Sequence, residues 1–240
     1  QIVEDNKGRI WIATDFGINR WDRDTEQFTR YFYGVGHMTP KQEKSFLLAE
    51  NCTENIICYV REQGFFHTDH NLELKPFTIS GIRGEVKKII MDDDNLFILN
   101  IEGALYRVKL SPRNNTIVTR NLDIIEQNTP ISDIFYSEKK LILNYGKYLK
   151  ILDKSNSFPS TIDIDLQKNI SQILFHKDYL FIGFYEGGYY KYDLKERIFF
   201  KMTDIPEKIS IFSAYISSQN ILWIGTDGKG IIERYNYPSA

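Results

Sequence analysis

Short apolar runs alternate with polar, turn-rich segments along the whole chain, and no segment sustains a 3.6-residue period. Two stretches share one phrase. Arg9 to Trp21 reads RIWIATDFGINRW and Asn220 to Tyr235 reads NILWIGTDGKGIIERY, each two alternating runs around a turn that contains Gly. Such a pair is a β-hairpin signal. Four looser copies lie between them: Asn55–Asp69, Leu96–Val108, Leu141–Leu152 and Leu180–Asp193. Aligned on a central Ile (Ile12, Ile57, Ile98, Ile142, Ile182 and Ile224), the copies recur at intervals of 45, 41, 44, 40 and 42 residues. A hairpin at a nearly fixed interval marks a repeat array.

Each copy parses into four short strands. In the first, Ile2–Glu4 is the remnant of an initial strand, followed by Arg9–Thr14, Gly17–Trp21 and Gln27–Tyr33, the last anchored by Phe28 and Tyr31. The second copy is expected over Ser45–Glu50, Ile56–Val60, Phe65–Thr68 and Phe77–Ile79, and the third ends in a strand at Thr116–Thr119. The expected blades span roughly 1–35, 44–80, 85–120, 130–164, 169–203 and 209–240, the last lacking its fourth strand. Gly17, Gly64, Gly188 and Gly230 begin third strands, where a turn needs positive φ. Asp22 and Asp193 end them, where a carboxylate bonds the backbone of the next turn. The reading is an all-β chain, a β-propeller of four-stranded antiparallel blades. The pairs Ile10/Trp11, Phe97/Ile98, Phe181/Ile182 and Trp223/Ile224 are expected between blades. With no fourth strand after Tyr235 and only Gln1–Glu4 before the first turn, the segment is expected to belong to a seven-bladed ring or to tandem propellers.

Composition narrows the function classes. A 240-residue chain with 42% hydrophobic and 26% charged residues suits a soluble all-β domain. A formal charge of -2 supplies no basic excess for nucleic acid. No apolar run approaches the ~18 residues of a membrane span, and the chain opens directly in repeat sequence, without the pattern of a signal peptide. Cys52 and Cys58 match neither a disulfide framework nor a zinc site and are read as partly buried thiols.

Candidate chemistry is sparse. His67, Asp69 and His70 lie close together, but His67 and Asp69 share a strand face while His70 enters the turn, so a structural role is favoured over a metal site. Asp92-Asp93-Asp94 falls where a hairpin turn belongs. Sequons begin at Asn51, Asn114 and Asn169. Nucleophile elbows, P-loops and zincin motifs are missing, so no catalytic residue, cofactor or metal is assigned. The better candidates are the tips joining second and third strands, which a propeller gathers at one face with the links between blades. They carry Asp15 and Phe16, Arg61 and Glu62, Glu102, Tyr145 and Lys147, Tyr185 and Glu186, and Asp227 and Lys229. Aromatic rings beside charged and amide groups suit a sugar, whose apolar face stacks while its hydroxyls hydrogen-bond.

The stretch EDNKGRIWIATDFGINRWD resembles the regulator-propeller repeat of periplasmic sensors in Bacteroides-type hybrid two-component systems. Glu4, Asp5, Gly8, Ile10, Trp11, Ile12, Thr14, Gly17, Ile18, Arg20, Trp21 and Asp22 carry the likeness. Leu222 to Thr226, Gly230, Ile231, Arg234 and Tyr235 carry it again, whereas the four middle copies lack the Trp. The resemblance implies a non-enzymatic, carbohydrate-sensing periplasmic propeller. It also implies neighbouring propeller and β-sandwich domains, a possible homodimer, and a membrane helix and histidine kinase elsewhere in the parent chain. A propeller enzyme acting on polysaccharide and a protein-interaction scaffold are the alternatives.

Overall fold

A computed structural model describes residues 1–32, 46–49, 55–113, 116–153, 160–203 and 205–235. It divides into two compact units, Gln1–Asp133 and Ile134–Ala240. The first unit holds three sheets, each an antiparallel meander with strands in chain order. They are β1 (Ile2–Glu4), β2 (Ile10–Thr14), β3 (Gly17–Asp22) and β4 (Gln27–Tyr31); β5 (Phe46–Leu48), β6 (Ile57–Val60), β7 (Gly64–Thr68) and β8 (Leu74–Phe77); and β9 (Val86–Asp92), β10 (Asn95–Asn100), β11 (Leu105–Arg113) and β12 (Thr116–Glu126). The second unit follows the same scheme. Its sheets are β13 (Asp133–Ser137), β14 (Lys140–Asn144), β15 (Tyr148–Asp153) and β16 (Ser160–Asp165); β17 (Ile170–His176), β18 (Tyr179–Phe184), β19 (Tyr189–Asp193) and β20 (Ile198–Lys201); and β21 (Ile211–Ile216), β22 (Leu222–Thr226) and β23 (Ile231–Arg234). The sixth sheet has three strands among the described residues. Small meanders stacked face on face at this period are the blades of a β-propeller, and the described residues contain no helix.

The stacking follows from alternation. Successive residues of a strand face opposite sides of its sheet, so within a unit the middle blade buries one set of side chains on the blade before and the other on the blade after. In the second unit, Leu180 and Ile182 pack with Ile142, Leu149 and Ile151 of the fourth blade. Phe181, between them, packs with Ile211, Leu222 and Ile224 of the sixth. The same logic corrects the repeat alignment. Ile142 faces the following blade, so the residue equivalent to Ile182 is Leu143. Its hairpin closes with the Tyr145 amide donating to the Tyr148 carbonyl, one residue tighter than the Phe184–Gly188 closure in the fifth blade. A one-residue slip exchanges the two faces. The second copy is shifted likewise. Cys58 lies on the side of Phe46 and Phe66, which meet Phe32 of the first blade, and Ile57 lies on the other.

Other boundaries move for identifiable reasons. The β11–β12 ribbon runs to Glu126, past the expected end at residue 120, because two bulges let the pairing continue. Leu122 then reaches the core, and Arg107 pairs with Asp123 on the ribbon's exposed side. The fourth strand of the second blade is Leu74–Phe77 rather than Phe77–Ile79. The Asp69 carboxylate accepts the Asn71 and Glu73 amides and turns the chain early, and Pro76 sits on an edge strand that needs no donor. Tyr31 anchors its sheet as expected, but Phe28 is exposed. Cys58 is fully rather than partly buried, and Trp223 is exposed rather than packed between blades. Tyr33, Ser45, Glu50, Asn51, Cys52 and Asn114 lie outside the described residues.

The expected punctuation holds. Gly17, Gly64, Gly188 and Gly230 all have positive φ. Asp22 accepts the amides of Asp24 and Thr25, and Asp193 those of Lys195 and Glu196. Asp5 does more than close a turn. Its carboxylate accepts the Lys7 and Arg9 amides, the Arg9 Nε at 2.7 Å and the buried Trp11 indole at 2.9 Å. Burial pushes its carboxyl upward, but the Trp11, Arg9 and Lys7 hydrogen bonds outweigh that and hold it below the ordinary 3.8. A depressed folded-state value contributes stability above the unfolded value, and the contribution vanishes as pH falls through the folded one. Acid unfolding of the first unit, followed by circular dichroism, is therefore expected to set in below about pH 4, and Asp5→Asn should flatten that acid limb.

Candidate ligand-binding surface

In the second unit the tips joining second and third strands are tied to the links between blades by a row of hydrogen bonds. The β14–β15 turn bends at Gly146, with φ 93°, while Asn144 Oδ1 accepts the Gly146 amide. This brings Tyr145 within 5.6 Å of the Tyr148 ring and leaves Lys147 exposed. The Gly146 and Lys147 carbonyls accept the Ile170 and Leu166 amides, so the link to the fifth blade wraps this tip. Asn169 on that link donates its amide and Nδ2 to Glu186 Oε1, the latter at 2.8 Å, and its carbonyl accepts the Tyr185 amide. Ser210, on the next link, donates Oγ to the Tyr185 carbonyl at 2.7 Å and accepts the Asp227 amide. The structure thus brings Tyr145, Lys147, Tyr185, Glu186 and Asp227 to one end of the unit, with Lys229 exposed two residues on.

A bulge completes the surface. The β21–β22 register shifts between Ile211 and Ser213, and the extra residue, Phe212, stands outward against Tyr185 with ring centroids 6.4 Å apart at 61°. Both rings are exposed. Beside them, Glu186 is held below its ordinary value by its own backbone N–H, by Asn169 and by the nearby Lys147 charge. The Tyr148 hydroxyl is pushed up to about 12, chiefly by its hydrogen bond to Asp163. This end therefore offers a carboxylate fixed at Glu186 and a neutral phenol at Tyr148, with the Lys147 side chain exposed beside them. Lys168 lies nearby, with Nζ 5.6 Å from both the Phe184 and the Tyr190 ring centres.

The tips of the first unit are tied in a similar way. Arg61 pairs with Glu85 at 2.7 Å, the Glu85 carbonyl accepts the Ile101 amide, and the Glu102 carboxylate lies against Gly84. Asp15 and Phe16 form an exposed tip of their own, closed by Thr14 Oγ1, and Glu62 occupies a positive-φ position on the β6–β7 tip. His67 and Asp69 are buried and His70 is exposed. The His67 ring meets the Thr68 carbonyl, and Asp69 closes its turn, so neither points to an open site. Asp93, at φ 52°, sits in the expected β9–β10 turn, and Asp94 pairs with Lys109.

Sequence reasoning missed Asn169, Ser210, Phe212 and Tyr148. Asn169 drew notice only as a sequon, and its amide is committed to Glu186. Ser210 and Phe212 belong to a link and to a bulge, neither of which follows the period that finds hairpins.

No family model matches the chain, and no curated protein matches it in sequence. Solved structures of the same fold do. The extracellular domain of a candidate hybrid two-component system of B. thetaiotaomicron, BT4673, superposes with a TM-score of 0.69 at 17% identity, over 98% of this chain and 33% of that one. The corresponding domain of BT3049 from the same organism gives 0.60 at 19% identity, over 93% of this chain and 31% of that one. Virginiamycin B lyase from Staphylococcus aureus gives 0.63 at 12% identity, over 99% and 84%. The chain therefore spans about a third of the length of the two-component domains it resembles, and at these identities the likeness establishes the propeller fold.

Proposed function

We propose that this chain is the ligand-sensing propeller of an extracytoplasmic bacterial sensor, and that its ligand is a carbohydrate held at the tip end of the second unit. One observation carries this reading: two exposed aromatic rings, Tyr185 and Phe212, stand beside Glu186, whose ionised carboxylate is fixed by Asn169. Rings accept the apolar face of a sugar, and fixed polar groups select its hydroxyls. The shared fold with extracellular domains of two-component systems supports a sensor in the periplasm, attached to a membrane-bound histidine kinase. Occupancy would bias two arrangements of propellers or protomers, and that bias would reach the kinase.

Calorimetric titration with a panel of oligosaccharides, coupled to an assay for new reducing ends or unsaturated products, tests the reading. Saturable heat without turnover is expected. Tyr185→Ala should weaken binding about tenfold, roughly 1.4 kcal/mol, without changing the far-ultraviolet spectrum. Product formation would make the chain a polysaccharide-degrading enzyme, and absence of heat across the panel would remove the carbohydrate.

A further inference from the structure

We propose that the junction of the fourth and fifth blades, at the tip end of the second unit, carries a subsite for an anionic group, so that the ligand is an acidic oligosaccharide bearing a carboxylate or a sulfate. This rests on the reading that a carbohydrate binds that end. The subsite is built around Lys168, which precedes Asn169 on the link between the two blades. Its side chain is half-buried, and its Nζ stands 5.6 Å from the centres of the Phe184 and Tyr190 rings, themselves an edge-on pair 5.5 Å apart. Aromatic faces attract a cation but bring it no counter-charge. No carboxylate among the described residues pairs with Lys168. The acidic groups around the link are engaged elsewhere: Asp165 accepts the Gln167 amide and Nε2, and Glu186 Oε1 accepts the Asn169 amide and Nδ2. A second lysine in the same junction makes the contrast. Lys140 lies over the Phe175 ring at 5.2 Å, and Asp153 Oδ2 is 3.8 Å from its Nζ. Lys168 has the rings and no carboxylate.

An ammonium partly removed from water attracts an anion more strongly than a fully solvated one does. Lys147, exposed on the fourth-blade tip, adds a second positive charge, close enough to Glu186 to favour its ionised form. The position of Lys168 also extends the candidate surface. Register sets Tyr190 opposite Ile182, on the side that packs toward the fourth blade, whereas Tyr185 meets Phe212 of the sixth. The Gly187-Gly188 turn between them carries no side chain, and a Cβ at Gly188 would stand 3.1 Å from the Tyr190 ring. The fifth-blade tip therefore has an aromatic pair on one flank, Lys168 on the other and Glu186 between. A sugar unit stacked on Tyr185 and Phe212 places its neighbour's acidic group at Lys168, and Glu186 accepts a hydroxyl from either unit.

Calorimetric titration with two matched pairs of probes tests this: tetragalacturonate and its methyl ester, and a carrageenan tetrasaccharide and its desulfated form. Esterification and desulfation remove the charge and keep the sugar rings, and the two pairs separate carboxylate from sulfate. The acidic member of at least one pair should bind about tenfold tighter than its neutral form, and the gap should narrow as salt rises. Lys168→Met keeps an apolar stem over the rings and should close the gap, while Lys168→Arg should keep it. Lys191→Met should leave it unchanged, since Lys191 lies over the Tyr179 and Phe200 rings and pairs in register with Phe181, on the other side of the sheet. Equal affinity for the charged and neutral forms, or neutral oligosaccharides bound and neither acidic probe bound, would overturn the acidic subsite and leave the carbohydrate reading standing. Both outcomes are read on the parent chain, so neither depends on a variant folding. A preference that survives Lys168→Met with circular dichroism unchanged would also overturn the subsite, and no heat from any sugar would overturn both readings.

Discussion

Trp11→Ala is expected to remove roughly 3–5 kcal/mol from the first unit, the range for emptying a large buried aromatic site. Trp11 is fully buried, stacks on Tyr31 at 5.5 Å and 26°, and lies beneath the Arg20 guanidinium. Its indole also donates to Asp5 Oδ2, so truncation leaves a buried carboxylate short of a donor as well as opening a cavity. Tyr31, which Trp11 supports, reaches across to the second blade through its hydroxyl on the Leu72 carbonyl. The damage should therefore extend beyond one sheet. Trp11→Phe keeps most of the packing and loses the indole donor, so it should fall about midway. Guanidinium titration followed by Trp21 fluorescence measures both. Equal stability of the Phe variant and the parent would show that the Asp5 hydrogen bond contributes nothing.

Gly187→Ala should cost nearly as much, and it should act on the candidate site as well. Gly187 has φ 90°, which an L side chain adopts at about 1–2 kcal/mol. A Cβ there would also stand 2.2 Å from the Glu207 carbonyl oxygen and 3.0 Å from the Ile209 nitrogen, both backbone atoms of the link to the sixth blade. Either the tip or the link has to move, adding about 1–3 kcal/mol. Gly228, one blade on, is the control. Its φ of 76° is similar, but a Cβ there meets nothing within 4 Å. Gly228→Ala should therefore show the backbone cost alone, and the difference in melting temperature isolates the collision. Because Gly187 follows Glu186, its replacement should also weaken ligand binding, whereas Gly228→Ala should weaken it less.

The propeller was legible in the sequence because hairpins are short-range objects. Gly17, Asp22, Gly188 and Asp193 announce turns from local backbone needs, and the expected positive φ values and capping carboxylates are present. Strand phase was harder to read. Ile57-Cys58-Tyr59-Val60 and Leu141-Ile142-Leu143 are apolar on both sides because a middle blade is buried on both, so alternation leaves no mark of which side is which. Only the contacts of Phe66 with Phe32, and of Ile142 with the fifth blade, settle it. The length of β12 was hidden for a related reason, since its bulges interrupt the alternation that signals a strand. At the candidate surface, the tip residues Tyr185 and Glu186 could be named from turn chemistry. Their partners Asn169, Ser210 and Phe212 could not, because a link of irregular length and a bulge decide where they go.

Hydrogen exchange followed by mass spectrometry, with and without a saturating oligosaccharide from the panel, tests the central claim most directly. Slowed exchange is predicted in the segments holding Tyr145 to Tyr148, Asn169, Phe184 to Gly188 and Ser210 to Ser213, with the sheet ends that carry Asp22 and Asp193 unchanged. Protection confined to the opposite sheet ends, or to the first unit, would contradict it.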